Sequence, residues 1–409
     1  TATSPKTSGK MQKRQPRKQR RKVMINNKTS GEPLFHISKR QELSKGKTVL
    51  FTLAAVAISL IIGALFCGIV SGNNPIYFFK HLFDGVFKTK RRIWTALRDL
   101  ALLLGVSMAL LPAFKMKFWN LGGNGQVLMG ALAATLCMKF FGGKMPDWVV
   151  NIIMIVSSIA IGIIWALIPA VFKAFFKTNE SLFTLMMNYI AVGIVSCFIT
   201  KYSNSGSNTI LPIKQGNLPN IGNEYMLTII VVAVITLFMI IYFKFSKHGY
   251  EVSVVGESEK TAKYIGLNVK KIIMRTMALS GAVCGIIGLL IVGSIDKTIT
   301  TDSANNMGFT AIMVAWLANL NPVTMIVAAM FITFVDKGMS TVRMQFNLTN
   351  SATTNIVLGF IYFFVIAVQF FITYKISFSL KRGNFALTKK VKPLGDKEKS
   401  DSENIGEDK

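Results

Sequence analysis

The run Trp148 to Phe172, WVVNIIMIVSSIAIGIIWALIPAVF, holds no Asp, Glu, Lys or Arg and is apolar on every side of a helix. At about 1.5 Å per residue, some 20 apolar residues cross the roughly 30 Å hydrocarbon core of a bilayer. A helix that is apolar all round has no solvent face. The stretch therefore reads as a membrane-spanning helix. The same template fits Thr48–Val70, Thr95–Phe114, Gln126–Phe141, Leu182–Thr200, Met226–Phe243, Ile272–Ile295, Met307–Leu320, Val323–Val335 and Asn355–Tyr374. Three of these, Gln126–Phe141, Met307–Leu320 and Val323–Val335, are short for a span.

The expected fold is an all-α integral membrane protein. It is a polytopic helical bundle of about ten transmembrane helices (range 8–10), with short broken helices near its core. The composition agrees: 51% hydrophobic, 16% charged and a mean hydropathy of +0.45 exclude one ordinary soluble domain. The expected organisation is a basic, unstructured arm over 1–47, a transmembrane domain over 48–377 and a charged tail over 378–409. The first span, behind so long an arm, reads as a retained helix rather than a signal peptide.

The net charge of +28 is concentrated. Lys6 through Lys47 supply fourteen Lys or Arg against Glu32 and Glu42 alone, and the tail from Lys381 mixes eight basic with six acidic residues. Basic flanks hold a span's start on the cytoplasmic side and touch anionic lipid, and that reading is preferred to nucleic-acid binding. An even number of spans puts both tails inside, together with the polar interval Ser246–Lys271. Lys115, Lys117, Lys173 and Lys177 fit this scheme. Lys80, Lys88, Lys90, Arg91 and Arg92 do not, unless Ile76–Phe87 is an amphipathic or re-entrant piece.

That polar interval, SKHGYEVSVVGESEKTAKYIGLNVKK, has internal order. Glu259 and Lys263 are four apart, and Gly266 stands where a helix would end, so a short helix is expected over this segment. About two turns are marginal alone in water, and the outer face, which mixes Tyr264, Ile265 and Ala262 with the lysines, suits a protein partner.

Chemistry is sparse. His36, His81 and His248 are isolated, no metal spacing or catalytic set appears, and Gly46-Lys47-Thr48 lacks the first glycine of a phosphate loop, since position 41 is Gln. Cys67, Cys137, Cys197 and Cys284 lie in apolar spans as small hydrophobes. A path for a solute is better represented. Lys117–Gly130, KFWNLGGNGQVLMG, breaks an apolar region with glycine and asparagine, and irregular backbone at membrane depth needs a cavity or protein around it. Asn120, Gly122, Gly125 and Gln126 belong to that break. Asn188 is an amide within an apolar span, and Asn319 and Asn321 flank a short one. Each amide reads either as lining for a neutral polar solute or as glue between helices. Gly281, Gly285 and Gly288 make a helix-packing face.

Five runs together resemble one family. Phe118–Gly130, FWNLGGNGQVLMG, is similar to the glycine-rich run after the second core helix of bacterial ABC importer permeases for nucleosides and simple sugars, the branched-chain amino acid/ribose permease-like group. Asn179–Ala191, Gly249–Val269, Ala278–Gly288 and Gly308–Pro322 extend the likeness in order. Two departures stand out: Asn124 where the family has an acidic residue, and Ala315-Trp316 where it has small ones. The resemblance implies a permease subunit in a bacterial plasma membrane, moving nucleosides by alternating access, with simple sugars as the alternative. It implies no cofactor on this chain. ATP would be used by a separate ATPase with tandem domains. A second related permease chain and an external substrate-binding lipoprotein would complete the complex. Glu257, Glu259, Lys263, Tyr264, Ile265 and Gly266 would meet the ATPase. An ion-coupled carrier is the rival reading, and it is weakened because Asp99, Arg275 and Asp336 fall near expected span ends.

Overall fold

The computed structural model describes residues 35–39, 45–203, 209–220, 222–348 and 352–378. The basic run Lys13–Lys22 and the tail beyond position 378 lie outside them. The chain divides into two compact units, residues 44–370 and a smaller one from the two chain ends.

The large unit is all-α. Its helices are α1 (Lys45–Ser71), α2 (Ile76–Phe87), α3 (Lys90–Lys115), α4 (Gly123–Phe141), α5 (Asp147–Phe176), α6 (Glu180–Tyr202) and α7 (Met226–Phe245). They continue as α8 (Lys247–Glu257), α9 (Glu259–Tyr264), α10 (Val269–Leu290), a π-helical turn (Ile291–Asp296), α11 (Met307–Leu317), α12 (Pro322–Gln345) and α13, which starts at Ala352. Local chemistry starts several of them. Thr89 Oγ1 accepts from the Arg92 amide at 3.3 Å, and Asn179 Oδ1 from the Ser181 amide at 3.1 Å. Asn268 Oδ1 accepts from the Lys271 amide at 3.2 Å. Each side chain satisfies a donor that the first helical turn leaves open.

Among the described residues, seven helices are long and apolar enough to cross a membrane: α1, α3, α5, α6, α7, α10 with its π turn, and α12. The count of about ten is reached only with α4, α11 and α13, and two expected spans change. Met307–Leu320 shrinks to an eleven-residue helix that ends at Leu317, because Asn319 and Leu320 take left-handed backbone. Val323–Val335 lengthens to the 24-residue α12. The expected boundary fell at Asp336 and Lys337, but Lys337 is ion-paired to Asp99 of α3, and a paired charge no longer ends a span.

Three helices form the inner layer. α3 is buried from Ala101 to Phe114, and α4 and α10 are buried over most of their length. Glycine lets α4, α5 and α10 meet backbone to backbone. A Cβ on Gly130 would lie 2.6 Å from Gly285 Cα, and one on Gly281 would lie 2.6 Å from Ala166 Cβ. Gly288 backs onto Val127 and Ala131 in the same way. Ser158 Oγ closes the seam by donating to the Gly130 carbonyl at 3.0 Å. Close approach of small residues is how helices associate where lipid removes the hydrophobic drive. α5, α6 and α7 surround this layer and turn Ile152, Val156, Ile164, Tyr189 and Val234 outward as a lipid-facing surface.

The basic interval between α1 and α3 contains α2, an amphipathic helix with Phe78, Leu82 and Val86 inward. Gly85 of α2 meets Gly338 of α12, where an added Cβ would be 2.7 Å from the Gly338 Cα. Arg92 is held by the Asp84 carbonyl at 2.9 Å and Thr341 Oγ1 at 3.3 Å.

In the smaller unit, β1 (Phe35–Lys39) pairs antiparallel with β2 (Tyr374–Phe378), placing Phe35 opposite Phe378 and Ile37 opposite Ile376. An unstructured arm over the whole of 1–47 did not include this pairing. Both segments alternate β-prone with polar residues, FHISK against YKISF, which suits a ladder.

Candidate functional site

One end of the bundle carries α8 and α9, with Gly256 against the Lys115 carbonyl; it is termed the loop end. The opposite, far end carries the starts of α3 and the end of α12.

At the far end a polar cavity of about 610 Å³ opens between α3, the π-helical turn, the segment before α11, α12 and α13. Its walls include Arg98, Asp99, Asp296, Asp336, Lys337 and Arg343. Asp99 is gripped from both sides, by Arg98 at 2.7 Å and by Lys337. Arg98 also lies over the Tyr225 ring, 5.1 Å from its centroid. None of these side chains was singled out as lining from sequence. The signal was available: Thr333, Asp336, Lys337, Ser340 and Arg343 recur at three- and four-residue spacings, one polar stripe along a helix. The premise that Asp99 and Asp336 stand near span ends is corrected here, since both lie well inside long helices.

The floor of this cavity is the start of α11. Asn305 and Asn306 take left-handed backbone (φ 42° and 53°) before Met307, which turns the chain back into the bundle. There α11 meets the start of α4: the Gly308 amide donates to Asn124 Oδ1 at 2.7 Å. Two interrupted helices thus bring their N-termini together inside the protein, where the backbone dipoles present partial positive charge. Asn124 is a residue that the sequence reading passed over as a site, although it stands at the position where the family resemblance shows an acid.

The expected path residues separate into two groups. Asn120, Gln126 and Asn188 are buried around the break before α4 and bond within the protein. Asn188 Oδ1 accepts from the Gly125 amide at 2.8 Å, and its Nδ2 donates to the Leu121 carbonyl at 2.8 Å. Asn120 Oδ1 accepts from the Gly122 amide at 3.0 Å and from Gln126 Nε2 at 3.3 Å, while Asn120 Nδ2 donates to Ser280 Oγ at 3.4 Å. Thr184 Oγ1 accepts from the Leu121 amide at 3.0 Å. These bonds supply the partners that irregular backbone at membrane depth requires. Asn319 and Asn321 lie elsewhere, on a cavity of about 620 Å³ at the loop end shared with Lys115, Phe243 and Glu257. Asn321 Oδ1 caps α12 through the Val323 amide at 3.0 Å. Between the groups, Trp119 and Trp316 stack with centroids 5.5 Å apart and rings 25° from parallel.

The interval at the loop end contains the expected short helix, α9, started by Ser258 Oγ, which accepts from the Thr261 amide at 3.2 Å. Glu259 and Lys263 are 4.0 Å apart on its surface. Ala262, expected on the outer face, is instead fully buried beside Met116, Phe118 and Ile273. Tyr264 is 91% exposed and Ile265 58%. Gly266 (φ +81°) ends the helix, and the Leu267 amide reaches back to the Ala262 carbonyl at 3.0 Å. A left-handed residue followed by such a backbond is the usual glycine-ended helix stop. The turn leaves Tyr264 and Ile265 projecting. No group of three or more His, Cys, Asp or Glu able to hold a metal is present among the described residues.

Comparison with known proteins adds the family. The Guanosine ABC transporter permease protein NupP of Bacillus subtilis is 27% identical over 69% of this chain and 82% of its own length. The Nucleoside ABC transporter permease protein NupB of Lactococcus lactis is 24% identical over 72% of this chain and 85% of its own. The Glucose ABC transporter permease protein TsgB13 of Haloferax volcanii is 23% identical over 84% and 93%. The family profile described as branched-chain amino acid transport system / permease component matches residues 92–366, from the start of α3 into α13. The chain belongs to that family and is a multi-pass membrane permease component of the ABC-transporter class rather than an enzyme.

Proposed function

We propose that this chain forms the translocation path of an ATP-driven importer of nucleosides in a bacterial plasma membrane, working by alternating access. The observation that carries the reading is a polar, charged cavity inside an otherwise apolar bundle. Such groups are costly in a membrane and mark a solute path. The likeness to permeases named for guanosine and for nucleosides supports nucleosides as the substrate class. In this reading both termini are cytoplasmic, the loop end faces the cytoplasm and the far end receives solute from an external binding lipoprotein. A separate ATPase, with tandem domains, drives the cycle by pressing on Ser246–Lys271, and a second related permease completes the pair. The exposed Tyr264 and Ile265 support the docking role. A simple sugar is the second reading, favoured by the likeness to a permease named for glucose.

The test is uptake of radiolabelled guanosine by cells making the whole complex. Deleting this chain abolishes uptake, and unlabelled nucleosides compete better than ribose or glucose. Stronger competition by a sugar transfers the assignment to the second reading.

A further inference from the structure

The corner between α2 and α3 reads Lys88-Thr89-Lys90-Arg91-Arg92, and of its four cations Arg92 alone is engaged, on the Asp84 carbonyl and Thr341. Lys88, Lys90 and Arg91 are exposed and have no ion-pair partner among the described residues. The acid nearest in sequence, Asp84, is half-buried and pairs with none of them. These are the cations that a cytoplasmic preference for Lys and Arg leaves unexplained, because they stand at the far end.

Beside this corner an apolar groove of about 700 Å³ runs between α1, α2, α3 and α12. Phe87 and Ile93, which flank the basic corner in the chain, both line the groove, so the cations stand at its mouth. From there it follows α12 from Phe334, whose ring centroid is 6.2 Å from that of Phe87, to Thr324. That stretch is about 15 Å long at 1.5 Å per residue, the depth of one leaflet of a roughly 30 Å hydrocarbon core. Leu53 of α1, Phe83 of α2, Leu97 of α3 and Met330 of α12 line it and are exposed, so it opens toward the bilayer. Its walls offer no hydroxyl. Thr52 Oγ1 donates to the Thr48 carbonyl at 2.9 Å, Thr324 Oγ1 donates to the Ala318 carbonyl at 2.7 Å, and Thr333 Oγ1 is buried.

An apolar surface on a membrane helix says only that lipid is near. A concave one, as long as an acyl chain and headed by three unpaired cations, selects which lipid. We infer that this groove binds an anionic phospholipid, with one acyl chain lying along α12 and the phosphate held by Lys88, Lys90 and Arg91. Basic pockets between membrane helices recognise anionic headgroups by the same charge pairing. A zwitterionic headgroup brings its own cation to the corner and loses most of that attraction. The site is independent of the transported solute, so it stands or falls apart from the functional reading above.

The experiment uses the purified importer, stripped of lipid in detergent and titrated with dioleoyl phosphatidylglycerol or dioleoyl phosphatidylcholine. Native mass spectrometry reads the bound lipid, and a photoreactive group on the acyl chain reads its place. Each basic residue near an anionic headgroup is worth about fivefold in affinity, about 1 kcal/mol at 1.4 kcal/mol per tenfold. Wild type is therefore expected to prefer phosphatidylglycerol by on the order of 100-fold at low salt, less at high salt, with the label on Phe83, Leu97 or Met330. The triple variant Lys88→Gln, Lys90→Gln, Arg91→Gln loses that preference and keeps its affinity for phosphatidylcholine. Val327→Trp, at an exposed position of the groove wall, weakens both lipids. An unchanged elution volume and lipid-free Tm show that the variants fold. Equal affinity of wild type for the two lipids, a triple variant that keeps the preference, or label confined to other surfaces overturns the inference. A cysteine at Leu97 that crosslinks to the second permease or to the binding lipoprotein makes the groove a protein interface, and overturns it as well.

Discussion

Replacing Gly130 by alanine tests the inner layer. A methyl carbon placed there would lie 2.6 Å from Gly285 Cα, 2.8 Å from its carbonyl oxygen and 3.1 Å from its carbonyl carbon. Carbons at their optimum stand about 3.5–4.0 Å apart, so the contact is short by about 1 Å. All three neighbours are backbone, so no rotamer change relieves it, and α4 and α10 must separate. They cannot do so independently, because Gly285 is also pressed against the Ser158 carbonyl of α5 and Ser158 bonds back to Gly130. Overpacking of this kind costs about 1–3 kcal/mol. Gly193→Ala is the matched control: it lies in a helix and has nothing within 4 Å of its added Cβ. Any gain in helix propensity from alanine is common to both variants, so their difference isolates the clash. At about 2–4 °C per kcal/mol the expected gap in Tm is roughly 2–12 °C. Thermal unfolding of the purified, detergent-solubilised importer, followed by loss of its size-exclusion peak, measures it. Gly63→Ala, which meets only the Val357 side chain at 3.0 Å, is expected to fall between them. Equal melting of the Gly130 and Gly193 variants would show that the seam yields freely, and the close-packed account would be wrong.

Asn188→Leu strands the Gly125 amide and the Leu121 carbonyl, at about 1–3 kcal/mol for each buried group; membrane abundance and uptake are expected to fall together in immunoblot and transport assays, whereas uptake falling alone would assign Asn188 to the solute. Gly266→Val forces a β-branched residue to φ +81°, a strain of about 1–3 kcal/mol with no steric clash, and Tyr264→Asp puts a charge on the projecting face; both are expected to abolish substrate-stimulated ATP hydrolysis while the binding lipoprotein still captures substrate. A cysteine at Lys263 should crosslink to the ATPase in membranes, and labelling of it by an impermeant reagent on intact cells would reverse the topology. Burial lowers the His248 pKa and outweighs the nearby Glu251, so the folded imidazole stays neutral where the unfolded one takes a proton near about 6.5. Stability is therefore complete above that pH and declines as pH falls below it, and the difference in Tm between pH 7.5 and 5.5 should shrink in His248→Gln.

What the sequence made legible was whatever depends on near neighbours. The uncharged run over Trp148–Phe172 needs only its own length to become α5, and the glycine and asparagine break at Gly122–Gly125 announces itself by composition. Glu259, Lys263 and Gly266 lie within eight residues and form α9 with its stop. What was missed depends on partners far along the chain. Nothing near Asp336 and Lys337 shows that Asp99, on another helix, neutralises the lysine and lets α12 continue to Gln345. Asn124 looks like a cap for its own helix until Gly308 arrives against it. The apolar look of Ala262 between lysines gave no hint of which face of α9 would be buried, because that is set by Met116 just after α3 and Ile273 on α10. The strand pairing joins segments more than 300 residues apart, and loop closure over such a distance leaves no local trace.

The junction of the two broken helices ties the far end to the loop end. The floor of the chamber is the start of α11, and α11 ends toward the loop end, where Trp316 stacks on Trp119 of the segment leading into α4. The eleven-residue α11 therefore meets this part of the chain twice, at the start of α4 through Asn124 and nearer the loop end through the tryptophans. An acid at position 124, facing two helix N-termini, would hold the Gly308 amide by a charge-assisted bond roughly twice as strong as a neutral one. Asparagine keeps the acceptor oxygen and gives up the charge. The first contact is thus weakened where the family resemblance shows it strong, and the second is made large and aromatic where the resemblance shows small residues.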